Sequence, residues 1–184
     1  MSYRTGTVGQ LLPGITAHLE QVPGIEHGAL LHVRGANVMS GYYRYENPGV
    51  IEPPASTAGA GWYSTGDVVT IDGEGFVRIV GRVKRFAKIA GEMISLEVVE
   101  KIAVLASPAY QHATSTQPDV QRGETIVLFT TDATLNRDRM QEAARTLGHP
   151  ELAVPRKIVR VDTLPLLGTG KIDYVTLKKM AEDA

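Results

Sequence analysis

One segment constrains the fold of this chain most strongly, and it reads GRVKRFAKIAGEMISLEVVE from Gly81 to Glu100. Before Gly81, apolar residues alternate over short runs, which is typical of β-strands. From Ser95 onward they recur at helical spacing, which is typical of a helix with one buried face. Because the pattern changes within this segment, we predict two domains, residues 1–80 and residues 81–184, joined near Lys84.

The same segment is basic, with four cations and no acid before Glu92. The cations are Arg82, Lys84, Arg85 and Lys88. Such a run suits an anionic ligand or partner, and it is also typical of a solvated strand edge. Charge alone leaves both interpretations open.

The composition argues against several classes of function. The formal net charge of the 184 residues is −1, so no general basic surface indicates nucleic-acid binding. The absence of cysteine excludes disulfides and thiolate metal sites, and it fits a cytoplasmic protein. The five histidines lack the spacing of metal ligands, so we predict no metal site. No apolar run reaches the roughly 18 to 20 residues of a membrane span, so we expect a soluble chain.

Both predicted domains contain strands, and together they predict an α+β protein. The first domain should hold short strands at 16–22 and 29–33, an exposed loop at 46–60, and a hairpin around Asp72-Gly73. The second should hold strands at 125–131 and 157–161 and helices that begin after Ser95, after Asn136 and at Tyr174. In the last helix we predict Val175, Leu177 and Met180 to face inward.

Two short motifs carry candidate chemistry. Gly168-Thr169-Gly170-Lys171 is not a phosphate-binding P-loop, because Pro165 and Ile172 stand where that motif needs glycine and serine or threonine. Two interpretations of Lys171 stay open. A glycine-rich loop can bring its ammonium group to an anionic transition state, or the residue is an ordinary exposed lysine without a catalytic role. Asp67 could accept hydrogen bonds from a sugar diol, or it is a turn-forming residue.

Taken in order, four motifs resemble the adenylate-forming superfamily of acyl- and aryl-CoA synthetases, luciferases and peptide-synthetase adenylation domains. The motifs lie at Gly28–Tyr43, Tyr63–Asp67, Gly81–Glu97 and Pro165–Lys171, and they span most of the chain. The resemblance is greatest to the bacterial branch of bifunctional 2-acylglycerophosphoethanolamine acyltransferase/acyl-[acyl-carrier-protein] synthetases. It rests there on the strings VPGIE, GYYRYENPGV, GRVKRFAKIAGEMISLEVVE, ELAVPR and LPLLGTGKIDY.

The resemblance implies a β-rich remnant of the large N-terminal, AMP-binding domain, followed by the small, mobile α+β C-terminal domain. It also implies roles for individual residues, with ATP or AMP and Mg²⁺ as cofactors and the Mg²⁺ ligands mostly outside this chain. The residues are the nucleotide-binding Thr65, Asp67 and Arg82, the hinge Lys84, the catalytic Lys171, and Gly91 and Glu92 in the loop at the thiol tunnel.

The implied parent enzyme activates a fatty acid as acyl-AMP and transfers it to the phosphopantetheine thiol of acyl carrier protein. Through a further domain it would also acylate 2-acylglycerophosphoethanolamine at the cytoplasmic face of the bacterial inner membrane, and we expect the present chain alone to be inactive. Two alternatives stay open, a long- or medium-chain acyl-CoA synthetase and a non-catalytic module that binds a carrier protein through the basic segment. If the partner is an acidic carrier protein, some of the side chains Arg82, Lys84, Arg85 and Lys88 are expected to steer its docking.

Three sites depart from the common residues of the superfamily. Arg85 stands where aspartate is frequent, Leu166-Leu167 replaces more polar residues, and Tyr174 stands where arginine is common. These departures argue against a generic CoA ligase. Asp67 and Lys171 are unaffected by them.

Overall fold

The computed structural model describes residues 4–184, and these form two compact units divided between Lys84 and Arg85. The first unit is built of β-strands, and all three α-helices of the described residues lie in the second. The predicted α+β class is confirmed. None of the helices within 4–184 is long and apolar enough to cross a membrane.

Within residues 4–84, the first unit contains nine strands. In chain order they are β1 (Gly9–Gln10), β2 (Thr16–Glu20), β3 (Ala29–Arg34), β4 (Tyr42–Tyr43), β5 (Ile51–Glu52), β6 (Ala55–Ser56), β7 (Gly59–Ala60), β8 (Tyr63–Ile71) and β9 (Phe76–Arg82). Five of them form an antiparallel sheet in the order β1-β9-β8-β3-β2. The pairs β4–β5 and β6–β7 make two small ladders, so the predicted loop at 46–60 is in fact partly paired.

The two longest strands of this sheet, β8 and β9, form a hairpin that turns at Asp72-Gly73, as the sequence predicts. The carboxylate of Asp72 accepts hydrogen bonds from the backbone N–H groups of Glu74 and Phe76, each at 3.0 Å. One face of the hairpin and of β3 packs a small core, whose buried members are Leu31, Val69 and Val77. This packing fixes the register that sets residues of β8 opposite residues of β9.

The second unit alternates strands and helices. In chain order these are β10 (Phe86–Ile89), β11 (Glu92–Ser95), α1 (Leu96–Ala106), β12 (His112–Asp119), β13 (Gly123–Thr130), α2 (Arg137–Thr146), β14 (Lys157–Arg160) and α3 (Tyr174–Glu182). Short 3₁₀ turns lie at Val83–Arg85 and Glu151–Ala153. The sheet order is β11-β10-β13-β12, and β14 pairs parallel to β13. Asn136 caps α2 as predicted, since its side chain accepts the backbone N–H of Arg139 at 3.0 Å.

Strand β13 serves two cores because its successive side chains point to opposite faces of the sheet. Ile126 and Leu128 pack with α1 and α2. Val127 and Phe129 pack with Leu177 of α3. Helices therefore cover both faces of the sheet, and α3 is held firmly on one of them.

The inward face of α3 differs from the prediction at one position. Leu177 and Ala181 are fully buried and Met180 is partly buried, but Val175 is 71% exposed. A helix turns about 100° per residue, so residues two positions apart lie on nearly opposite sides. Burial of Leu177 therefore directs Val175 toward solvent.

Candidate functional site

Asp67 and Arg82 face each other across the β8–β9 hairpin as register partners. The Nε atom of Arg82 lies 2.9 Å from Oδ1 of Asp67, and their side chains are 66% and 20% exposed, respectively. The aspartate is thus half-sheltered while the guanidinium reaches into solvent. An ionised carboxylate offers two acceptor oxygens, so this pair can present both acceptors and donors to a polar ligand.

Thr65 holds the backbone beneath this pair. Its hydroxyl donates to the carbonyl of Leu31 at 2.8 Å and accepts the N–H of Asp67 at 3.1 Å. Gly66, between them, has φ of 75°, a conformation that glycine adopts without strain. The sequence suggested a turn ending at Asp67, and that is wrong, because these residues lie inside β8 next to a register shift at Val68. The Thr65 hydroxyl therefore orients Asp67 within the strand.

The lysine loop is a small hairpin closed by an isolated antiparallel bridge between Leu166 and Ile172. The N–H of Leu167 donates to the carbonyl of Lys171, and the N–H of Gly170 donates to the carbonyl of Leu167, both at 2.8 Å. Gly170 takes a φ of 78° in this turn. The whole tip is exposed, and Lys171 with it. The hairpin presents an ammonium group on a short, hydrogen-bonded support.

Gly91 lies in the two-residue turn between β10 and β11, where Ile89 pairs with Glu92. Ala90 and Gly91 have φ of 51° and 93°, and a tight turn of this kind needs two positive φ values. The N–H of Ala90 donates to the carbonyl of Arg122 at 2.9 Å, which ties the turn to the β12–β13 connection. Glu92 is exposed at the start of β11.

The predicted site residues therefore form three groups. Thr65, Asp67 and Arg82 lie together in the first unit. Lys171 and the pair Gly91 and Glu92 lie on two separate hairpins of the second unit. Lys84 is exposed and ends the first unit.

The basic segment is largely occupied by internal contacts. Arg82 pairs with Asp67, and Arg85 is only 12% exposed and pairs with Glu100 at 2.6 Å. Arg85 is therefore poorly placed to steer an acidic partner, since a sheltered, neutralised cation contributes little to a long-range field. Lys88 stays exposed.

The surroundings of Arg85 form a polar cluster that the sequence did not reveal. Its guanidinium carbon lies 3.9 Å from the centre of the Tyr174 ring, and its Nη1 donates to the carbonyl of Thr114 at 3.0 Å. Glu100 also accepts the N–H of Thr114 at 2.8 Å. Burial, and next the nearby Glu100 carboxylate, raise the pKa of Tyr174 above its ordinary value. The only signal in the sequence was the departure from the superfamily's usual residues at positions 85 and 174.

A second polar network, in the first unit, was also missed. His32 is 1% exposed, and its ring nitrogens lie 2.9 Å from the Ser56 hydroxyl and 2.8 Å from a Glu20 carboxylate oxygen. The Thr57 hydroxyl donates to the same carboxylate. That bond, and next the bond to His32, lower the pKa of Glu20. The network fastens the β6–β7 ladder to β2 and β3, and so His32 is a structural residue.

Within residues 4–184, no group of three or more histidine, aspartate or glutamate side chains is placed to hold a metal ion.

Known proteins resemble the chain in sequence and in fold. No family model matches the chain. It is 34% identical over 163 residues to 2-hydroxy-7-methoxy-5-methyl-1-naphthoate–CoA ligase of Streptomyces carzinostaticus, which covers 85% of the chain and 28% of that ligase. It is also 34% identical over 166 residues to triostin synthetase I of Streptomyces triostinicus. This match covers 89% of the chain and 30% of triostin synthetase I. The chain therefore spans less than a third of the length of these relatives.

Among solved structures, ATP-bound MatB from Rhodopseudomonas palustris matches with a TM-score of 0.75 and 25% identity. The match covers 97% of this chain and 36% of MatB. The similarity therefore includes both units. The chain carries the sequence and the fold of the C-terminal region of the adenylate-forming, AMP-binding superfamily.

Proposed function

We propose that this chain is the C-terminal part of an ATP-dependent acid–thiol ligase that activates a fatty acid as acyl-AMP. The acyl group then passes to the phosphopantetheine thiol of acyl carrier protein. The observation that carries the proposal is the exposed Lys171 on its closed hairpin, in a chain that also presents the Asp67–Arg82 pair. The first 84 residues are then the end of the AMP-binding domain, and the rest is the mobile C-terminal domain.

In this proposal Asp67 binds the ribose hydroxyl groups of ATP. Its carboxylate offers two acceptor oxygens and can accept a hydrogen bond from each hydroxyl of a diol. Thr65 supports it by fixing the N–H of Asp67, and the exposed guanidinium of Arg82 can reach the same nucleotide. ATP brings its own Mg²⁺, whose ligands we assign mostly to other parts of the enzyme.

Lys171 acts where the fatty-acid carboxylate meets the α-phosphate. Attack of the carboxylate oxygen on phosphorus forms the new P–O bond as the bond to pyrophosphate breaks, and negative charge gathers on the phosphoryl oxygens. A lysine ammonium is a compact point charge with three donors, and it stabilises that charge without taking part in bond formation. The glycines of the hairpin leave room for the loop to enter the site and to leave it.

The thiol step needs a different arrangement of the same parts. We propose that the C-terminal unit turns about Lys84, which withdraws Lys171 and brings the Ala90–Gly91 turn and Glu92 to the thiol. The turn is suited to this because its tip is small and its shape is fixed by the bond from Ala90 to Arg122.

A second candidate is an acyl- or aryl-CoA ligase, in which free CoA replaces the carrier protein. One relative in sequence, a naphthoate–CoA ligase, favours it. For a fatty acid as substrate, the two candidates differ in the thiol acceptor. A full-length enzyme containing this chain, given acyl-AMP with either CoA or phosphopantetheinylated carrier protein, separates them by which thioester forms.

The test of the catalytic assignment is Lys171→Ala in the full-length enzyme. Loss of one donor to a charged transition state typically costs roughly 10²- to 10³-fold in rate, and we expect acyl-AMP formation to fall by that factor. Thioester formation from supplied acyl-AMP should be nearly unchanged, because the hairpin has withdrawn by then. Lys101→Ala removes another exposed lysine of the same unit and serves as the matched control.

Normal acyl-AMP formation in Lys171→Ala would contradict the proposal and favour a non-catalytic module. Equal loss in both half-reactions would contradict the division of labour between the two positions of the C-terminal unit.

A further inference from the structure

Arg85 joins three elements of the second unit. Its Nη2 pairs with Glu100 of α1 at 2.6 Å, its Nη1 donates to the carbonyl of Thr114 in β12 at 3.0 Å, and its plane covers the ring of Tyr174 at the start of α3. Each of these partners sits on a regular element whose own position is fixed by the core. Arg85 is therefore held on three sides.

These contacts hold the guanidinium tightly. A planar guanidinium that is hydrogen-bonded at its edge and stacked on an aromatic face has little freedom to rotate. The side chain is 12% exposed, so solvent weakens the contacts less than it would at the surface. A lysine at this position could not make both edge contacts and the stack.

Tyr174 links this cluster to the lysine hairpin. It begins α3 directly after Asp173, whose carboxylate caps the helix by accepting the N–H of Val175 at 3.0 Å. The N–H of Asp173 donates to the carbonyl of Pro165 at 2.9 Å and closes the base of the hairpin. A shift of the Tyr174 ring would move the strand that carries Lys171, three residues earlier.

We infer that Arg85 and Tyr174 are positioning residues, which lock the base of the Lys171 hairpin to the residue that directly follows Lys84. The inference rests on the proposed function for the roles of Lys171 and Lys84. If the inference holds, a rotation of the backbone at Lys84 moves Arg85, Tyr174 and the Lys171 hairpin together as one rigid body. In this inference both residues act through Lys171 and not by contact with the substrates.

The first experiment measures hydrogen exchange at the amides of Leu167, Gly170 and Asp173 in the 184-residue chain. Tyr174→Leu removes the ring, and we expect these amides to exchange about threefold to tenfold faster, as the loss of a cation–π contact allows. Tyr174→Phe keeps the ring and should match the wild type. Val175→Ala alters the adjacent, exposed residue and is the matched control.

The second experiment uses the full-length enzyme. We expect Tyr174→Leu to lower kcat for acyl-AMP formation by about tenfold through misplacement of Lys171, with KM for ATP nearly unchanged and with thioester formation from supplied acyl-AMP intact. Tyr174→Phe should restore kcat.

Unchanged exchange in Tyr174→Leu, or faster exchange in Tyr174→Phe as well, would overturn the positioning role whatever the activity of the enzyme. Faster exchange with normal acyl-AMP formation would overturn the link to Lys171. A failure of the proposed function itself would be recognised separately, because Lys171→Ala would then also leave acyl-AMP formation normal.

Discussion

Replacement of Asp67 by asparagine separates binding from stability. The change keeps the shape of the side chain and removes its charge. The contact with Arg82 is made by a guanidinium that is 66% exposed, and such pairs contribute about 0 to 1 kcal/mol to the free energy of unfolding. No buried charge is left behind, since Arg82 is already in contact with water. We therefore expect Asp67→Asn to lower the unfolding free energy by less than about 1 kcal/mol.

The expected loss of nucleotide affinity is larger. Hydrogen bonds to a charged group contribute roughly 1.5 to 3 kcal/mol, and the proposed ribose contacts depend on the charge of Asp67. At about 1.4 kcal/mol for each factor of ten, the Kd for ATP should rise roughly 10- to 100-fold. The expected loss of ATP affinity is thus larger than the expected loss of unfolding free energy, and the same variant can be used to measure both.

Urea denaturation of the 184-residue chain, followed by circular dichroism, measures the first quantity, and titration of the full-length enzyme with ATP measures the second. Glu52→Gln is the matched control, because it removes the charge of another exposed carboxylate of the first unit, 3.1 Å from Arg44. An unchanged Kd for ATP in Asp67→Asn would refute the nucleotide-binding role. A loss of more than about 2 kcal/mol in unfolding free energy would refute the reasoning about exposure.

Two further predictions concern the second unit. Leu177→Ala should lower the free energy of unfolding by about 2 to 5 kcal/mol in a urea titration, because Leu177 is fully buried against Val127 and Phe129. A decrease of less than about 1 kcal/mol would contradict this packing. Asp132 is buried, and the hydroxyl of Ser107, at 2.6 Å, contributes most to holding its pKa well below the ordinary value. Its contribution to stability is therefore present above about pH 4 and is lost as the pH falls toward the lowered pKa, so the gap in urea midpoint between wild type and Asp132→Asn should narrow below about pH 4. A gap that stays constant from pH 7 to pH 3 would contradict this assignment.

The sequence predicted elements whose periodicity was set by one buried face. The helix after Asn136 is of this kind, because its apolar residues and its cap signal agree with the fold. The strand around Ile126–Phe129 is buried on both faces, and its β-branched and aromatic residues predicted it instead. Strand β12 was not predicted, since His112–Asp119 is rich in threonine and serine and is buried through hydrogen bonds with its neighbours. Its strand character depends on pairing with β13, which the polar sequence of β12 does not itself reveal.

The candidate site, too, was predicted from the sequence only in part. Motif order was enough to single out Asp67 and Lys171 as candidates, because a motif records residue type and spacing. It was not enough to show that Arg85 is sheltered, because its partners Glu100 and Tyr174 lie 15 and 89 positions further along the chain. A run of basic residues reads as a charged surface until the acids and rings that pair with it are located.

The double use of β13 has a consequence for how the second unit comes apart. Ile126 and Leu128 belong to one core, and Val127 and Phe129 belong to the other. Neither layer of helices can detach without exposing a strand that the other layer still needs, so partial unfolding of the unit is costly on both sides. The unit should lose its structure in a single cooperative step, with the amides of β13 as its slowest-exchanging group. A body that does not loosen internally is suited to turning as a whole about the residue that precedes it.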